Sequence, residues 1–443
     1  MKTTFQNIKG TFDILPDRSS LGGAEGAGSA TWQYVEATIR EVMRRFAYEE
    51  IRTPILEPTE LIARGIGQLT DIVSKQMFTF ERGDTHYVLR PEVTAPVIRA
   101  YLQHHMGQSG GVQKLYYIGP CFRAERPQKG RYRQFHQFGV EAIGSDDARA
   151  DAEVIALMMA VYHALGVETS RLRLNSLGDE HSRPRYKEAL RQYLEPYRND
   201  LTETSRQRLE RNPLRILDTK NEKERRLLDG APLLIDAIDD ESRQHYEDLK
   251  AFLDDLGIAF EEDPYLVRGL DYYTRTAFEL ESASLGAQDA LAGGGRYDLL
   301  AQEVGSKQRV PAVGFAAGLE RLILALVAQG VELPQTPPLD AFLVAPGDEA
   351  TRWAFHQAQG LREAGLRVSL DLKGRSMKAQ MRAANRQKAR FTVIVGKDEL
   401  AAQQVQVKDM ETGEQVAVSF DVLTNYLNEK KSESLISTRG EAD

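Results

Sequence analysis

At 443 residues the chain exceeds one ordinary hydrophobic core, so two or three domains are expected, and its 42% hydrophobic and 28% charged content is that of a water-soluble globular protein. No run approaches the ~20 apolar residues of a membrane span, and Met1-Lys2-Thr3-Thr4-Phe5 opens no apolar signal core, so a cytoplasmic location is expected. A formal charge of −8 confines any nucleic-acid contact to local basic patches, while the single cysteine, Cys121, excludes an internal disulfide framework and a multi-cysteine zinc site and reads as a small buried hydrophobe.

Asp17 to Ala30 is rich in Gly, Ala and Ser without an apolar period, and a mobile loop is expected there. Trp32, Val35, Ile39, Val42, Met43 and Phe46 then recur at helical spacing and predict an amphipathic helix. Ile51 to Glu57 reads as a strand carrying Pro54; proline has no N–H for a ladder, so this strand belongs at an edge or an interface. Tyr87 to Leu89 ends a further strand. Pro91 biases Arg90 toward an extended backbone, which would aim Arg90, Glu92 and Thr94 the same way.

The densest chemistry lies between Phe122 and Glu141. Arg123, Arg126, Lys129, Arg131 and Arg133 stand against one acid, Glu125, a phosphate-seeking composition. The β-prone runs Leu115 to Ile118 and Phe135 to Ile143 frame it, and Pro127, Lys129 and Gly130 mark the turn, which predicts an antiparallel hairpin with a long basic tip. Because strand side chains alternate, Arg123 and Glu125 would share a face of the first strand, and Phe135, Gln137, Gly139 and Glu141 a face of the second. An aromatic, an amide and a carboxylate beside an arginine suit a small polar ligand, the plain alternative being a solvated hairpin.

Ala148 to Leu165 predicts a helix and Leu172 to Asn175 a strand. From Glu180 to about Phe260 the chain is highly charged and helical, with breaks at Pro184, Pro213 and Gly230-Ala231-Pro232; an inserted helical domain is expected, its charge more simply a solvated face than a binding surface. Arg268, Asp271, Tyr272, Tyr273 and Arg275 then crowd into eight residues. Such groups are costly to bury without partners, so some face a ligand. Gly293-Gly294-Gly295-Arg296-Tyr297-Asp298 follows; a glycine run alone is as readily a plain turn as a phosphate loop. Val313 to Leu322 is a strand entering a helix. Leu319, Leu322, Ile323 and Leu326 form its buried stripe, leaving Arg321 in the first turn, where guanidinium and helix N-terminus together make an anion site.

Leu333 to Pro338, with three prolines, is a linker. Beyond it a separate α/β domain is predicted: strand Ala341 to Ala345, helix Glu349 to Ala364, strand Leu366 to Leu370, helix Lys378 to Gln387, strand Phe391 to Val395, strands near Val405 and Val416, and a last helix to Leu427. Lys373, Arg375, Lys378, Arg382, Arg386, Lys388 and Arg390 follow one another without an intervening acid, an electrostatic footprint for RNA, or else a solvated helix face.

Phe122-Arg123-Ala124-Glu125-Arg126-Pro127-Gln128-Lys129-Gly130-Arg131 resembles motif 2 of class II aminoacyl-tRNA synthetases, and of histidyl-tRNA synthetases in particular. The long helix with its proline-bearing strand resembles motif 1, and Val313 to Leu322 resembles motif 3. Leu266 to Thr276 and Gly293 to Asp298 resemble the histidine-specific signatures, and Lys9 to Pro16 the N-terminal one. Asp17 to Ala30 looks like an insertion relative to the family pattern. The resemblance implies an α+β catalytic domain with an antiparallel sheet in two parts, residues 1–175 and 261–332, around a helical insertion at 176–260. A linker (333–339), an anticodon-binding α/β domain (340–430) and a disordered tail (431–443) would follow.

It further implies ATP-dependent ligation of L-histidine to tRNA(His) through a histidyl-adenylate, by a homodimer built through motif 1. Carried over residue by residue, Arg123 would neutralise the α-phosphate and Arg321 the γ-phosphate, with Phe135 and Arg321 around adenine and Glu125 beside the nucleotide. Arg268 would stabilise charge developing near the α-phosphate, making Arg268 and Arg123 the catalytic pair. Glu92, Val93, Thr94 and Gln137 would surround the α-ammonium, and Glu141 with Tyr272 or Tyr273, and Tyr297, the imidazole. Arg126 and Gln128 would meet the acceptor end of the tRNA, and Lys378, Arg382 and Arg386 its anticodon arm. Mg2+ is expected with ATP, although no dense acidic cluster demands a protein metal cage. Val93 stands where bacterial members usually carry glycine, which keeps open a regulatory paralogue that senses histidine. Arg123, Arg268, Arg321 and the basic C-terminal domain argue against it, and the tyrosine block argues against a class II synthetase for another amino acid.

Overall fold

In the computed structural model, residues 5–16, 27–67, 70, 72–128, 130–169, 171–268, 270–288, 290–334 and 337–440 are described, in two compact units, Met1–Gln335 and Thr336–Asp443. The first unit contains strands β1 (Glu49–Glu50), β2 (Leu56–Pro58), β3 (Phe78–Arg82), β4 (Thr85–Leu89), β5 (Gln113–Phe122), β6 (Gln134–Ile143), β7 (Arg171–Ser176), β8 (Glu261–Glu262), β9 (Thr274–Glu281), β10 (Ala290–Arg296) and β11 (Ala312–Gly318). Its main sheet has the order β1-β5-β6-β11-β10-β9-β7-β8, antiparallel except for the parallel outer pairs β1/β5 and β7/β8.

Alternation along these strands decides what each face does. Phe138, Val140 and Ala142 on β6, Phe278 and Leu280 on β9, and Val313, Phe315 and Ala317 on β11 share a core with helices Ser29–Arg45, Ala148–Ala164 and Leu319–Ala328. The intervening positions, among them Gln137, Glu141, Glu279, Gly293 and Gly314, belong to the other face. The first helix starts three residues before the sequence pattern does, at Ser29, and Ala27 is fully buried, so the end of the expected loop is packed; residues 17–26 lie outside the described ones. Asp147 caps the second helix, accepting from Arg149 N at 2.9 Å.

Three local readings are corrected. Ile51 to Glu57 is not one strand: Pro54 interrupts it, β1 before it joins the main sheet and β2 after it joins a second sheet, ordered β2-β4-β3. Arg90 does not join Glu92 and Thr94. Its Nε donates to Pro120 O (3.0 Å) and its Nη1 to Thr53 O and Oγ1 (2.9 Å each), tying three segments together. The Gly293 to Gly295 run is neither turn nor phosphate loop but the middle of strand β10.

The helices between Ser182 and Asp255 form as expected, and their apolar faces merge with the first unit's core: Tyr186, Leu190 and Leu194 pack in one cluster with Tyr272 and Tyr273. The second unit carries β12 (Ala341–Val344), β13 (Val368–Leu370), β14 (Phe391–Ile394), β15 (Gln404–Asp409) and β16 (Gln415–Ser419) in the order β13-β12-β14-β15-β16, with β12 parallel to both neighbours. Ala341 and Leu343 face one apolar cluster and Phe342 and Val344 another, so helices cover both sides of this sheet and the strand reads as an unbroken apolar run. The last helix runs Leu423–Gly440 instead of stopping at Leu427, so residues 431–440, expected to be disordered, are helical; 441–443 lie outside the described residues.

Candidate active site

Strand register assembles the site from distant parts of the chain. Arg173, Glu279, Gly293, Ala316, Gly139 and Tyr117 form one row across the sheet, and Asn175, Ala277, Gly295, Gly314, Glu141 and Leu115 the next. Half of these twelve residues are glycine or alanine, and the space beside two of the glycines is taken by neighbouring side chains. A Cβ on Gly293 would sit 2.1 Å from Arg268 Nη2, and one on Gly314 would sit 1.9 Å from Glu141 Oε2. These glycines are seats for a guanidinium and a carboxylate.

Above this floor opens a cavity of about 950 Å3, lined among others by Glu92, Thr94, Arg123, Phe135, Gln137, Arg268, Tyr272, Tyr273 and Arg321. At its basic end, the Arg123 guanidinium lies 5.1 Å from the Phe135 ring centroid and donates through Nε to Pro91 O at 3.0 Å. Arg321 Nη1 donates to Ala290 O (2.8 Å) and Nε to Gly130 O (3.2 Å). Burial, then the positive charges of Arg131 and Arg123, lower the pKa of Arg321. Guanidiniums held together against their mutual repulsion form an anion site. Glu125 sits among them, 3.5 Å from Arg131. Arg123 and Glu125 lie just past β5, because Ala124 N–H leaves the ladder for Gln76 O (2.7 Å), yet both still line the cavity.

Arg268 donates through Nη1 to Glu279 Oε2 at 2.6 Å. Burial opposes its charge, but the Glu279 carboxylate, with Tyr273 and Tyr272, outweighs that and leaves its pKa raised. Glu279 reaches Arg173 as well, at 3.3 Å, so one carboxylate aligns both arginines. It escaped the sequence reading because its link to Arg268 is made by strand register and carries no local signal.

Next to Pro91, whose carbonyl Arg123 holds, Glu92 accepts from Thr94 N (2.6 Å) and Ala95 N (3.0 Å) at the start of helix Thr94–Gln103. Burial raises its pKa against those two hydrogen bonds. Gln137 Oε1 accepts from Cys121 Sγ at 3.3 Å, which gives the lone cysteine an orienting contact; burial pushes its thiol up to about 12, so it is no nucleophile. Glu141 is only 1% exposed, and its Oε2 accepts from Tyr297 OH, while Oε1 is buried without a hydrogen-bond partner. Burial pushes Glu141 up to about 8, opposed by its hydrogen bond from Tyr297. The Tyr272 ring centroid lies 4.6 Å from that of Tyr273, the rings tilted, and 5.6 Å from that of Tyr297, edge-on.

Three expected ligand contacts stand apart from the wall. Glu141 and Tyr297 are bonded to each other and neither lines the cavity, while Tyr272 and Tyr273 do. Val93 has an ordinary φ of −119° and packs its side chain into the core with Val97, Cys121 and Tyr272, so the position does not demand glycine and valine alters nothing on the wall. Arg126 and Gln128 are exposed on the hairpin tip; Lys129 lies outside the described residues. In the second unit Lys378, Arg382 and Arg386 are exposed at spacing i, i+4, i+8 on helix Met377–Arg386, opposite buried Gln380, Ala383 and Ala384.

An antiparallel sheet carrying a hairpin arginine, a helix-start arginine and a third arginine seated on a glycine strand is the active-site layout of a class II aminoacyl-tRNA synthetase. The histidyl-tRNA synthetase family model matches residues 27–322, and an anticodon-binding domain model matches 340–430. A histidine–tRNA ligase of Chloroherpeton thalassium is 50% identical over 432 residues, 96% of this chain and 98% of that protein. One from Halothermothrix orenii is 48% identical over 95% and 97%. The crystal structure of apo S. aureus histidyl-tRNA synthetase superposes with a TM-score of 0.79 at 40% identity, covering 96% of this chain and all of that one. The chain belongs to the histidyl-tRNA synthetase family, whose members charge tRNA(His) with histidine using ATP.

Proposed function

We propose that this chain performs the family reaction with the residues just described. The histidine carboxylate attacks the α-phosphorus of ATP, the bond to the β-phosphate breaks and diphosphate leaves. The tRNA 3′-end hydroxyl then attacks the histidyl carbonyl and AMP leaves. In-line attack needs cations around phosphate and a firm grip on the amino acid. Arg123 and Arg268 take the α-phosphate and Arg321 the γ-phosphate, with adenine against Phe135 and Arg321. Glu92, Thr94 and Gln137 hold the α-ammonium, and Glu141 with Tyr272 or Tyr273 holds the imidazole.

The observation that supports this is one cavity whose wall combines Arg123, Arg268 and Arg321 with Glu92, Thr94, Gln137, Tyr272 and Tyr273, with Glu141 buried off that wall and bonded to Tyr297. A site built around two ring nitrogens leaves buried groups unpaired when another side chain enters, and such mismatches reach about 10⁴-fold. Mg2+ enters as part of the nucleotide substrate. Glu125 and Glu279, carboxylates on the cavity wall paired with Arg131 and Arg268, would help hold it, together with phosphate oxygens. Helices 182–255, within the insertion proposed at 176–260, and the basic hairpin tip face the acceptor arm, and the 340–430 domain the anticodon.

ATP–diphosphate exchange with each amino acid in turn is the test: stimulation by histidine alone is expected, and Arg268→Ala should lower it by about 10³-fold while tRNA binding persists. Parental exchange in that variant would refute the arginine's role. A cytoplasmic homodimer is part of this reading. Ile55 and Leu56, beside Pro54, stay 42% and 41% exposed, as an interface segment would in an isolated protomer. Light scattering should give twice the chain mass, and a monomer would sink this point.

A further inference from the structure

The turn that carries Tyr272 and Tyr273 is gripped from the helical segment. Arg183, in the first turn of helix Ser182–Leu194, donates Nη1 to Tyr273 O at 2.6 Å and to Asp271 O at 3.2 Å, and Nη2 to Asp271 O at 3.3 Å. Asn212, closing helix Glu203–Arg211, donates Nδ2 to Asp271 Oδ1 at 3.1 Å. On the far side of the tyrosines Arg275 adopts a left-handed φ of +48° and exchanges main-chain bonds with Gly178 O (2.8 Å) and Leu177 N (2.5 Å). The Arg275–Glu241 ion pair adds little, because Glu241 is exposed.

Arg183 is an unusual investment of charge. Among the described residues its hydrogen bonds go to main-chain carbonyls, and no carboxylate lies within ion-pair distance. Arg183 is half-buried, and a guanidinium even partly withdrawn from water without a carboxylate partner is costly. Burial lowers its pKa, and the charge of Asp271 restores only part. What Arg183 secures is the position of the two carbonyls that bracket the tyrosine pair.

We propose that Arg183 is a positioning residue for amino-acid selection: by gripping the carbonyls of Asp271 and Tyr273 it holds the tyrosine pair in the arrangement that accepts an imidazole. The helical segment is thereby part of the amino-acid site. This rests on the assignment of Glu141 and the tyrosines to the imidazole. The test is diphosphate exchange by the full-length protein at varied histidine and at varied ATP. Arg183→Ala should raise KM for histidine by about ten-fold or more with KM for ATP within about two-fold, and Arg183→Lys, which keeps a cationic donor, should recover part of the loss. An unchanged histidine KM in Arg183→Ala, or equal rises for both substrates, overturns the proposal. If Arg183→Ala does not fold, Asn212→Ala decides: a histidine-selective rise supports the proposal and an unchanged KM overturns it. Glu141→Gln separates the two levels. Should it too leave histidine KM unchanged, the imidazole assignment has failed; should it alone raise KM, only the positioning role has.

Discussion

Glu141 shows how far a single residue departs from its ordinary chemistry here. Its pKa is pushed from 4.5 to about 8 by burial. Below pH 4.5 the carboxyl is protonated folded or unfolded. Between 4.5 and about 8 the folded chain keeps a proton that the unfolded chain releases, so this group's contribution to stability is lost progressively as pH rises through that window. Glu141→Gln should therefore match the parent near pH 4.5 and exceed it by on the order of 2–4 kcal/mol above pH 8 in denaturant titrations, while histidine-dependent exchange collapses. A variant equally stable at both pH values would show that the buried carboxyl is not strained in the empty protein. The trade is that of a binding site: a group kept unsatisfied in the free protein is available to a ligand.

Among the elements, strand β10 contributes most by what it lacks. Gly293 leaves the volume that the Arg268 guanidinium fills, and Glu279, its cross-strand partner, holds that guanidinium by charge. Gly293→Ala must displace the Arg268 head group, since backbone on a central strand cannot yield. A loss of about 10²-fold in exchange, with about 1–3 kcal/mol of stability, is expected from kinetics and melting. Near-parental exchange would mean that Arg268 reaches its working position from another direction. The hairpin β5/β6 was legible because its aromatic and β-branched strands and its basic tip differ so sharply in composition. The glycine strand was not: three consecutive glycines carry no strand propensity, and only pairing with β9 and β11 on either side makes them one.

Across the whole chain, the candidate active site and the exposed basic helix fall in separate units. The first unit holds the cavity and the arginine cluster, and the second presents Lys378, Arg382 and Arg386 on one exposed helix face. Replacing all three with alanine should raise KM for tRNA in aminoacylation and flatten its salt dependence by about 2 in log–log slope, with amino-acid-dependent exchange unaffected. An unchanged salt slope would assign those charges to solvation alone.

What the sequence by itself determined were the features written in neighbouring residues. These are the amphipathic helix after Trp32, the basic hairpin, Arg321 beside its apolar stripe, the alternating elements after the prolines, and the crowded arginine and tyrosines from Arg268 to Tyr273. Helix and strand periodicity, turn residues and local charge act over a few residues, so they can be read without knowing what lies opposite. Only the tertiary structure decided that Tyr297 backs Glu141, that Glu279 aligns Arg268, that Val93 turns into the core and that Arg183 holds the tyrosine turn. Each is a contact between segments far apart in the chain, set by strand register and by which side chain fills the space beside a glycine, and no local pattern encodes such a pairing.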